Sequence, residues 1–235
     1  MTFLSFDLEL SDVFDLEPGQ DLEAHAPLHV SVAATVVDSG EERLWYSEDA
    51  PRHPAVNLAA ERAHELLEYL EERQASGLQV FAWNGLKFDF KWLGHQAQDL
   101  ELATRIARKS YDPFFQLFNQ RGVFVSLAKV AEGMGIPLRK SMTGAEAPRA
   151  WAGGRHREVM DYVLGDCRMT NLLVHALRER GELRWTTRKG SVASEPFPLL
   201  KTVEQVIAEP GVDPTWMKDP PDKYDFFRWT ETLRV

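Results

Sequence analysis

The segment that most limits how this chain can fold lies at its N-terminus, in the sequence MTFLSFDLEL. Between Phe3 and Leu10 the even positions are apolar and the odd positions from Ser5 onward are polar, a period of two that is typical of a β-strand. Asp7 and Glu9 therefore project from one face of this strand, where they can share a metal ion. A polar, solvent-facing strand edge would give the same pattern, so the pair alone does not decide between these interpretations.

The rest of the chain alternates between strand and helix patterns. Residues 29–37 and 43–47 predict a hairpin, residues 58–74 an amphipathic helix, and residues 78–83 a buried strand that ends at the Asn84-Gly85 turn. Short helices are predicted at 88–94, 100–109, 114–122 and 127–133, a long helix at 156–180, and two strands within 183–197. A tail containing Trp216 and Trp229 follows. This order predicts an α/β fold with a mixed sheet flanked by helices.

Length and composition are those of a globular protein. The chain has 235 residues, of which 44% are hydrophobic and 27% charged, so a single α/β domain with a tail is expected. The longest apolar stretches are far shorter than the roughly 20 residues that span a bilayer. The N-terminus lacks the basic region of a secretory signal. Cys167 is the only cysteine, which excludes an intrachain disulfide and a cysteine-based zinc site and fits a cytoplasmic location.

The balance of charges is acidic, with 36 Asp and Glu against 27 Lys and Arg and a formal charge of −9. Such a field repels bulk nucleic acid, which argues against a protein that coats DNA. A nuclease remains compatible with it, because acids gathered at a cation site have their potential reversed by the bound metal. The densest basic stretch would guide phosphates or form a solvated surface, and it contains Arg139, Lys140, Arg149, Arg155 and Arg157.

Two further acids occur at positions where functional groups gather. Asp89 follows the predicted strand 78–83 by one tight turn, although an aspartate there can also cap a helix. Asp166 lies four residues after Tyr162 on the long helix, so the two side chains share one helical face. An acid beside an apolar stripe requires a partner, which can be a divalent cation or an arginine.

The segments FDLEL, WNGLKFD and YVLGD, in this order, resemble the three exonuclease motifs of the DEDD (DnaQ-like) superfamily. The tyrosine at position 162 resembles the DEDDy variant, since the histidine variant would place His at position 161, which is Asp here. The resemblance covers roughly residues 1–180, and residues 111–137 look like the corresponding region of stand-alone polymerase-B-like 3′–5′ exonucleases. It implies a ribonuclease H-like domain at 1–181, with 182–235 as a hairpin and tail packed on the same domain.

The resemblance also implies a chemistry. Asp7, Glu9, Asp89 and Asp166 would hold two Mg²⁺ or Mn²⁺ ions, since oxygen ligands favour hard cations, and Tyr162 would orient the attacking water. Leu8, Asn84 and Phe88 would contact the terminal nucleotides, while core packing remains an alternative for Phe88. The implied partner is a nucleic acid with a free 3′ end, with DNA favoured over RNA and a single strand over a duplex.

The sequence is also compatible with three other interpretations. The chain could be an inactive ribonuclease H-like module that binds nucleic acid or protein, or an endonuclease or resolvase on the same fold. The acids could also be purely structural, capping helices and pairing with arginine.

Overall fold

The computed structural model describes residues 2–15, 22–137, 142–213, 217 and 221–231. The strands in the described part of the chain are β1 (Phe3–Leu10), β2 (Val30–Val37), β3 (Glu42–Trp45), β4 (Glu48–Ala50), β5 (His53–Pro54), β6 (Gln79–Phe81), β7 (Glu182–Thr186) and β8 (Val192–Pro196). The helices are α1 (Ala60–Ala75), α2 (Asp89–Gln96), α3 (Leu100–Lys109), α4 (Pro113–Arg121), α5 (Leu127–Met134), α6 (Ala147–Ala152), α7 (His156–Arg180) and α8 (Val203–Ala208). Short 3-10 helices cover Leu22–His25, Lys223–Phe226 and Arg228–Thr230.

The central sheet has the order β3-β2-β1-β6. β1 pairs antiparallel with β2 and parallel with β6, so the sheet is mixed. β1 is thus an inner strand, and almost all of it is buried. A strand in this position places the side chains of its two faces in two different layers of the molecule.

Helices cover both faces of the sheet. The apolar even positions of β1 pack into a core with α1, α2 and α3. On the opposite face, residues of β2 pack against α6 and α7. The polar face of β1 also points toward α7, because the Ser5 hydroxyl donates a 2.6 Å hydrogen bond to Asn171 on that helix. The result is the three-layer α/β arrangement that the sequence predicts, which confirms the ribonuclease H-like fold class.

Most predicted elements are present with small shifts at their ends. β1 and α7 have the predicted bounds, and α7 stops at Gly181, whose φ of 65° suits glycine. β6 is shorter than predicted, and α1 begins two residues later. The short elements α6, α8, β4 and β5 were not predicted, because six or fewer residues carry too little periodicity to reveal them.

The C-terminal residues contact the rest of the chain at specific points. The hairpin of β7 and β8 lies against α5, where a Cβ atom on Gly133 would come within 2.4 Å of the Trp185 backbone. The Trp229 indole donates a 2.8 Å hydrogen bond to the Leu86 carbonyl. Trp216 lies outside the described residues, and the division at residue 181 stays a prediction. Among the described helices, none has the length and apolar character needed to cross a bilayer.

Candidate metal and nucleic-acid site

Three of the predicted acids meet between β1 and α7. One carboxylate oxygen from each of Asp7, Glu9 and Asp166 lies within 4.8 Å of the others. Glu9 and Asp166 are buried and Asp7 is half-buried. The period of two along β1 turns Asp7 and Glu9 toward α7, and the packing of α7 on the sheet brings Asp166 to them. Such closely spaced carboxylates repel one another unless a cation lies between them.

Asp89 lies next to this cluster rather than inside the group of three. It is the first residue of α2, and its Oδ1 accepts a 3.1 Å hydrogen bond from the Leu8 backbone N–H, between the two acids of β1. The pKa of Asp89 is raised to about 7, mainly by burial; the charges of Asp112 and Asp166 also raise it, and the Leu8 hydrogen bond lowers it. A buried carboxyl in a negative potential is a candidate cation ligand.

Tyr162 lies one helical turn before Asp166 and is also buried. Burial raises the pKa of its phenol above the ordinary value, and the charges of Glu9, Asp166 and Asp7 act in the same direction. The phenol also donates a hydrogen bond to the Asp166 carboxylate. The side chain is therefore neutral across the physiological pH range, and its O–H is a donor next to the acids.

The loop before α2 carries the other predicted contact residues. Asn84 has a φ of 65°, a conformation that asparagine tolerates better than most residues. Its side-chain Oδ1 is buried and has no hydrogen-bond partner among the described residues. Phe88 is partly buried and packs against the core, although it also borders the same cleft as the acids. Leu8 is buried and borders the cleft as well.

One residue that holds this loop escaped the sequence analysis. Asp112 is buried, and its carboxylate accepts hydrogen bonds from four backbone N–H groups, those of Asn84, Leu86, Phe114 and Phe115, at 3.0–3.1 Å. Two of these bonds cap α4 and two fix the loop that leads to Asp89. The Asp112-Pro113 pair was a local signal for the cap, since Asp precedes helices and Pro is common at their first position. The bonds to the loop had no local signal.

The acids open into a cleft of about 760 Å³. All eight predicted site residues border it: Asp7, Leu8, Glu9, Asn84, Phe88, Asp89, Tyr162 and Asp166. Its walls also include aromatic rings, those of Phe14, Trp83, Phe114 and Phe124. A cleft of this size that combines apolar rings with converging acids has the character of a ligand site.

The predicted basic stretch is only partly associated with the cleft. Arg149 borders the cleft and forms an ion pair with Asp15. Arg155 and Arg157 form ion pairs with Glu158 and Asp161, respectively, on α7. Arg139 and Lys140 lie outside the described residues.

One comparison with a solved structure supports this fold. A solved structure of the family B DNA polymerase from the hyperthermophilic archaeon Pyrobaculum calidifontis is similar with a TM-score of 0.52 and 19% identity. The match covers 75% of this chain and 24% of the polymerase chain, so the chain spans about a quarter of that relative. A structure of E. coli exonuclease I in complex with a dT13 oligonucleotide aligns with a TM-score of 0.43 and 14% identity, over 76% of this chain and 41% of that one.

No curated protein sequence matches the chain. A family model described as RNase_H superfamily matches residues 13–178, which is more than half of the chain. The match begins after β1, so Asp7 and Glu9 lie outside it, whereas Asp89, Tyr162 and Asp166 lie within it. On this match and on the observed sheet and helix order, the chain belongs to the RNase H superfamily.

Proposed function

We propose that this protein is a metal-dependent 3′–5′ exonuclease of the tyrosine DEDD variant, which releases nucleotides from single-stranded 3′ ends, with DNA favoured over RNA. The observation that carries the proposal is the cluster of Asp7, Glu9 and Asp166, whose ligand oxygens lie within 4.8 Å of one another in a large cleft. Tyr162 and Asp89 border the same cleft, which supports one shared site.

The donor set fits two hard divalent cations. Asp7, Glu9, Asp89 and Asp166 would hold them, because carboxylate oxygens suit Mg²⁺ or Mn²⁺ and no His or Cys belongs to the described cluster. When bound, such ions neutralise the phosphate charge and lower the pKa of a nucleophilic water. The raised pKa of Asp89, caused mainly by its burial, supports a site in which bound cations compensate the carboxylate charge.

Tyr162 would position the nucleophile rather than take its proton. Its raised pKa keeps the phenol protonated, so it cannot act as a base at neutral pH. Its hydrogen bond to Asp166 orients the ring toward the acids. A neutral phenol whose O–H is donated to Asp166 can accept a hydrogen bond from, or pack beside, a water aligned with the phosphorus atom.

The residues around the acids would bind the terminal nucleotide. The buried Oδ1 of Asn84, which has no partner among the described residues, can accept a hydrogen bond from a sugar hydroxyl or a base. Phe88 and Leu8 would supply apolar contact to the last base. These contacts favour an unpaired end, because a base paired in a duplex has its hydrogen-bonding edge occupied by its partner and stays stacked on the preceding base pair.

The decisive experiment uses DNA and RNA oligonucleotides labelled at the 5′ end, with Mg²⁺, Mn²⁺ or EDTA, followed by product sizing. We expect stepwise shortening from the 3′ end, none with EDTA, and none on a circular single strand. Asp166→Asn should lower the rate by roughly 10³-fold or more, since a carboxylate ligand is lost. Asp161→Asn is the matched control, because Asp161 is on the same helix but pairs with Arg157.

Each other outcome has a distinct meaning. Cutting of the circular strand would indicate an endonuclease, and binding of Mn²⁺ and oligonucleotide without hydrolysis would indicate an inactive module. Full activity of Asp166→Asn would refute the site, and so would equal loss in Asp161→Asn.

A further inference from the structure

We infer that Phe124 is a stacking platform for an unpaired base upstream of the terminal nucleotide, so that the protein grips its strand through base stacking more than through phosphate contacts. The inference rests on the proposed function, because it assigns the cleft to a nucleic-acid strand. Phe124 belongs to none of the three exonuclease motifs and was not singled out from the sequence.

Phe124 is unusual among the large apolar side chains near the site. Its side chain is 54% exposed, while its neighbours Val125 and Leu127 are buried. It nevertheless borders the same cleft as the acids. Exposing a phenylalanine to water is unfavourable, so a ring left open inside a cleft is a candidate contact for a flat apolar partner.

The ring is held in a fixed orientation by other rings. Phe226 lies nearly parallel to it, with a 12° angle between the planes and 6.1 Å between the centroids. Phe118 and Phe114 contact it at 5.2 Å and 5.8 Å. These contacts leave Phe124 54% exposed, so part of the ring stays open for a ligand. A ring fixed in advance loses little conformational entropy when a base stacks on it.

The position of Phe124 explains why the base would be upstream. Trp83, next to Asn84, lies 5.8 Å from Phe114 in an edge contact, and Phe114 lies 5.8 Å from Phe124. Through the buried Phe114, ring contacts therefore connect the loop proposed to hold the terminal nucleotide with Phe124, and all three rings border the cleft. A strand that ends at the acids and continues along this wall would bring an earlier base to Phe124.

The charges around the cleft explain why stacking must supply much of the affinity. Among the described lining residues, six are acidic and one is basic. The basic residue, Arg149, is already paired with Asp15. A polyanion gains little Coulomb attraction from such a surface, even after cations neutralise part of the cluster. Stacking on an aromatic ring is uncharged and tolerates any base sequence, so it can offset this deficit.

The test measures binding of a 5′-fluorescein-labelled oligothymidylate by anisotropy, with Ca²⁺ in place of Mg²⁺ to slow hydrolysis. Phe124→Ala should raise Kd roughly 5- to 150-fold, the range expected for one lost base–aromatic stack. Phe124→Trp keeps an aromatic face and should bind within about threefold of the unmodified protein. Tyr224→Ala removes an aromatic ring that is 44% exposed but does not border the cleft, so it serves as the matched control.

A second arm asks whether the ring contacts a base. Oligonucleotides with one abasic position at a time are bound to the unmodified protein and to Phe124→Ala. At one upstream position the two losses should fail to add, because both remove the same contact. Additive losses at every position would overturn the platform, and so would unchanged binding in Phe124→Ala or an equal loss in Tyr224→Ala. If Phe124→Ala does not fold, the abasic series is measured with the unmodified protein and with Phe124→Trp. The platform is overturned if removing the base at each upstream position leaves the Kd of both proteins unchanged.

The platform and the proposed function fail in different ways. Non-additive binding without hydrolysis in Mg²⁺ or Mn²⁺ would refute the exonuclease and keep the platform. Stepwise hydrolysis with unchanged binding in Phe124→Ala would refute the platform and keep the exonuclease.

Discussion

Replacing Asp112 by alanine should destabilise the protein more than the loss of an ordinary helix cap. The Asp112 carboxylate accepts the N–H groups of Phe114 and Phe115 at the start of α4, and also those of Asn84 and Leu86 in the loop before α2. In Asp112→Ala all four donors lose this acceptor. The site is buried, so water cannot readily replace it.

The magnitude follows from these bonds. Losing an aspartate cap costs about 1 kcal/mol. The two loop N–H groups add about 1–3 kcal/mol each if they stay unsatisfied. We therefore expect Asp112→Ala to lower the free energy of unfolding by about 3–7 kcal/mol, a large part of the 5–15 kcal/mol typical of a folded domain. Asp112→Asn keeps an acceptor for three of the donors and should cost about 1–3 kcal/mol.

The matched control is Asp99→Ala. Asp99 also caps a helix, but among the described residues its side chain accepts from a single backbone N–H, that of Leu102 at 2.9 Å, and otherwise contacts the half-exposed His64 ring at 3.3 Å. Its loss should cost about 1 kcal/mol. Urea unfolding followed by tryptophan fluorescence measures both variants, and hydrogen exchange of the Leu86 amide reports the loop directly. If Asp112→Ala costs no more than Asp99→Ala, the bonds to the loop contribute nothing and the reasoning fails.

Three further outcomes are expected. Gly133→Ala should lower the free energy of unfolding in urea by about 1–3 kcal/mol, because the new Cβ would lie 2.4 Å from the Trp185 backbone. Gly165→Ala is the control: its Cβ would meet open space, so the change should stabilise α7 by up to about 1 kcal/mol. Equal effects would contradict the close packing. Tyr162→Phe should slow nucleotide release less than loss of a carboxylate ligand, in single-turnover assays; an equal loss would contradict an orienting role. Burial raises the pKa of Asp112 to about 6, so protonation of this side chain adds stability that is complete below about pH 4 and is lost as pH rises through 6, while the carboxylate present above pH 6 still accepts the four N–H groups. The unmodified protein should therefore lose stability relative to Asp112→Asn between pH 4 and 7, and the opposite trend would show that the four N–H donors outweigh burial.

Local patterns predicted much of the fold. The alternation along β1 and the apolar stripe of α7 each extend over enough residues to set the ends of these elements, and both have the predicted bounds. The same periods predicted that Asp7 and Glu9 share a face and that Tyr162 lies one turn from Asp166. These are properties of a single strand or helix, so they can be read without knowing what packs against it.

Other features depend on contacts between distant segments. The Asp112 carboxylate serves a loop more than twenty residues before it, and only the folded chain reveals those bonds. The exposure of Phe124 is a second such feature. Its neighbours in the segment VFV are apolar, so the sequence alone predicts that Phe124 belongs to the core. Only the folded chain shows that Phe124 stays exposed at the edge of the cleft while Phe114 and Phe226 contact its ring.

By itself, the sequence determined which faces of β1 and α7 carry acids, since backbone periodicity sets the direction of each side chain. The tertiary structure alone decided that Asp7, Glu9 and Asp166 lie within reach of one cation, that Asp89 lies beside them, and that Phe124 stays open. The physical reason is that distances between separate elements depend on how the layers pack, and packing is a property of all the buried side chains together.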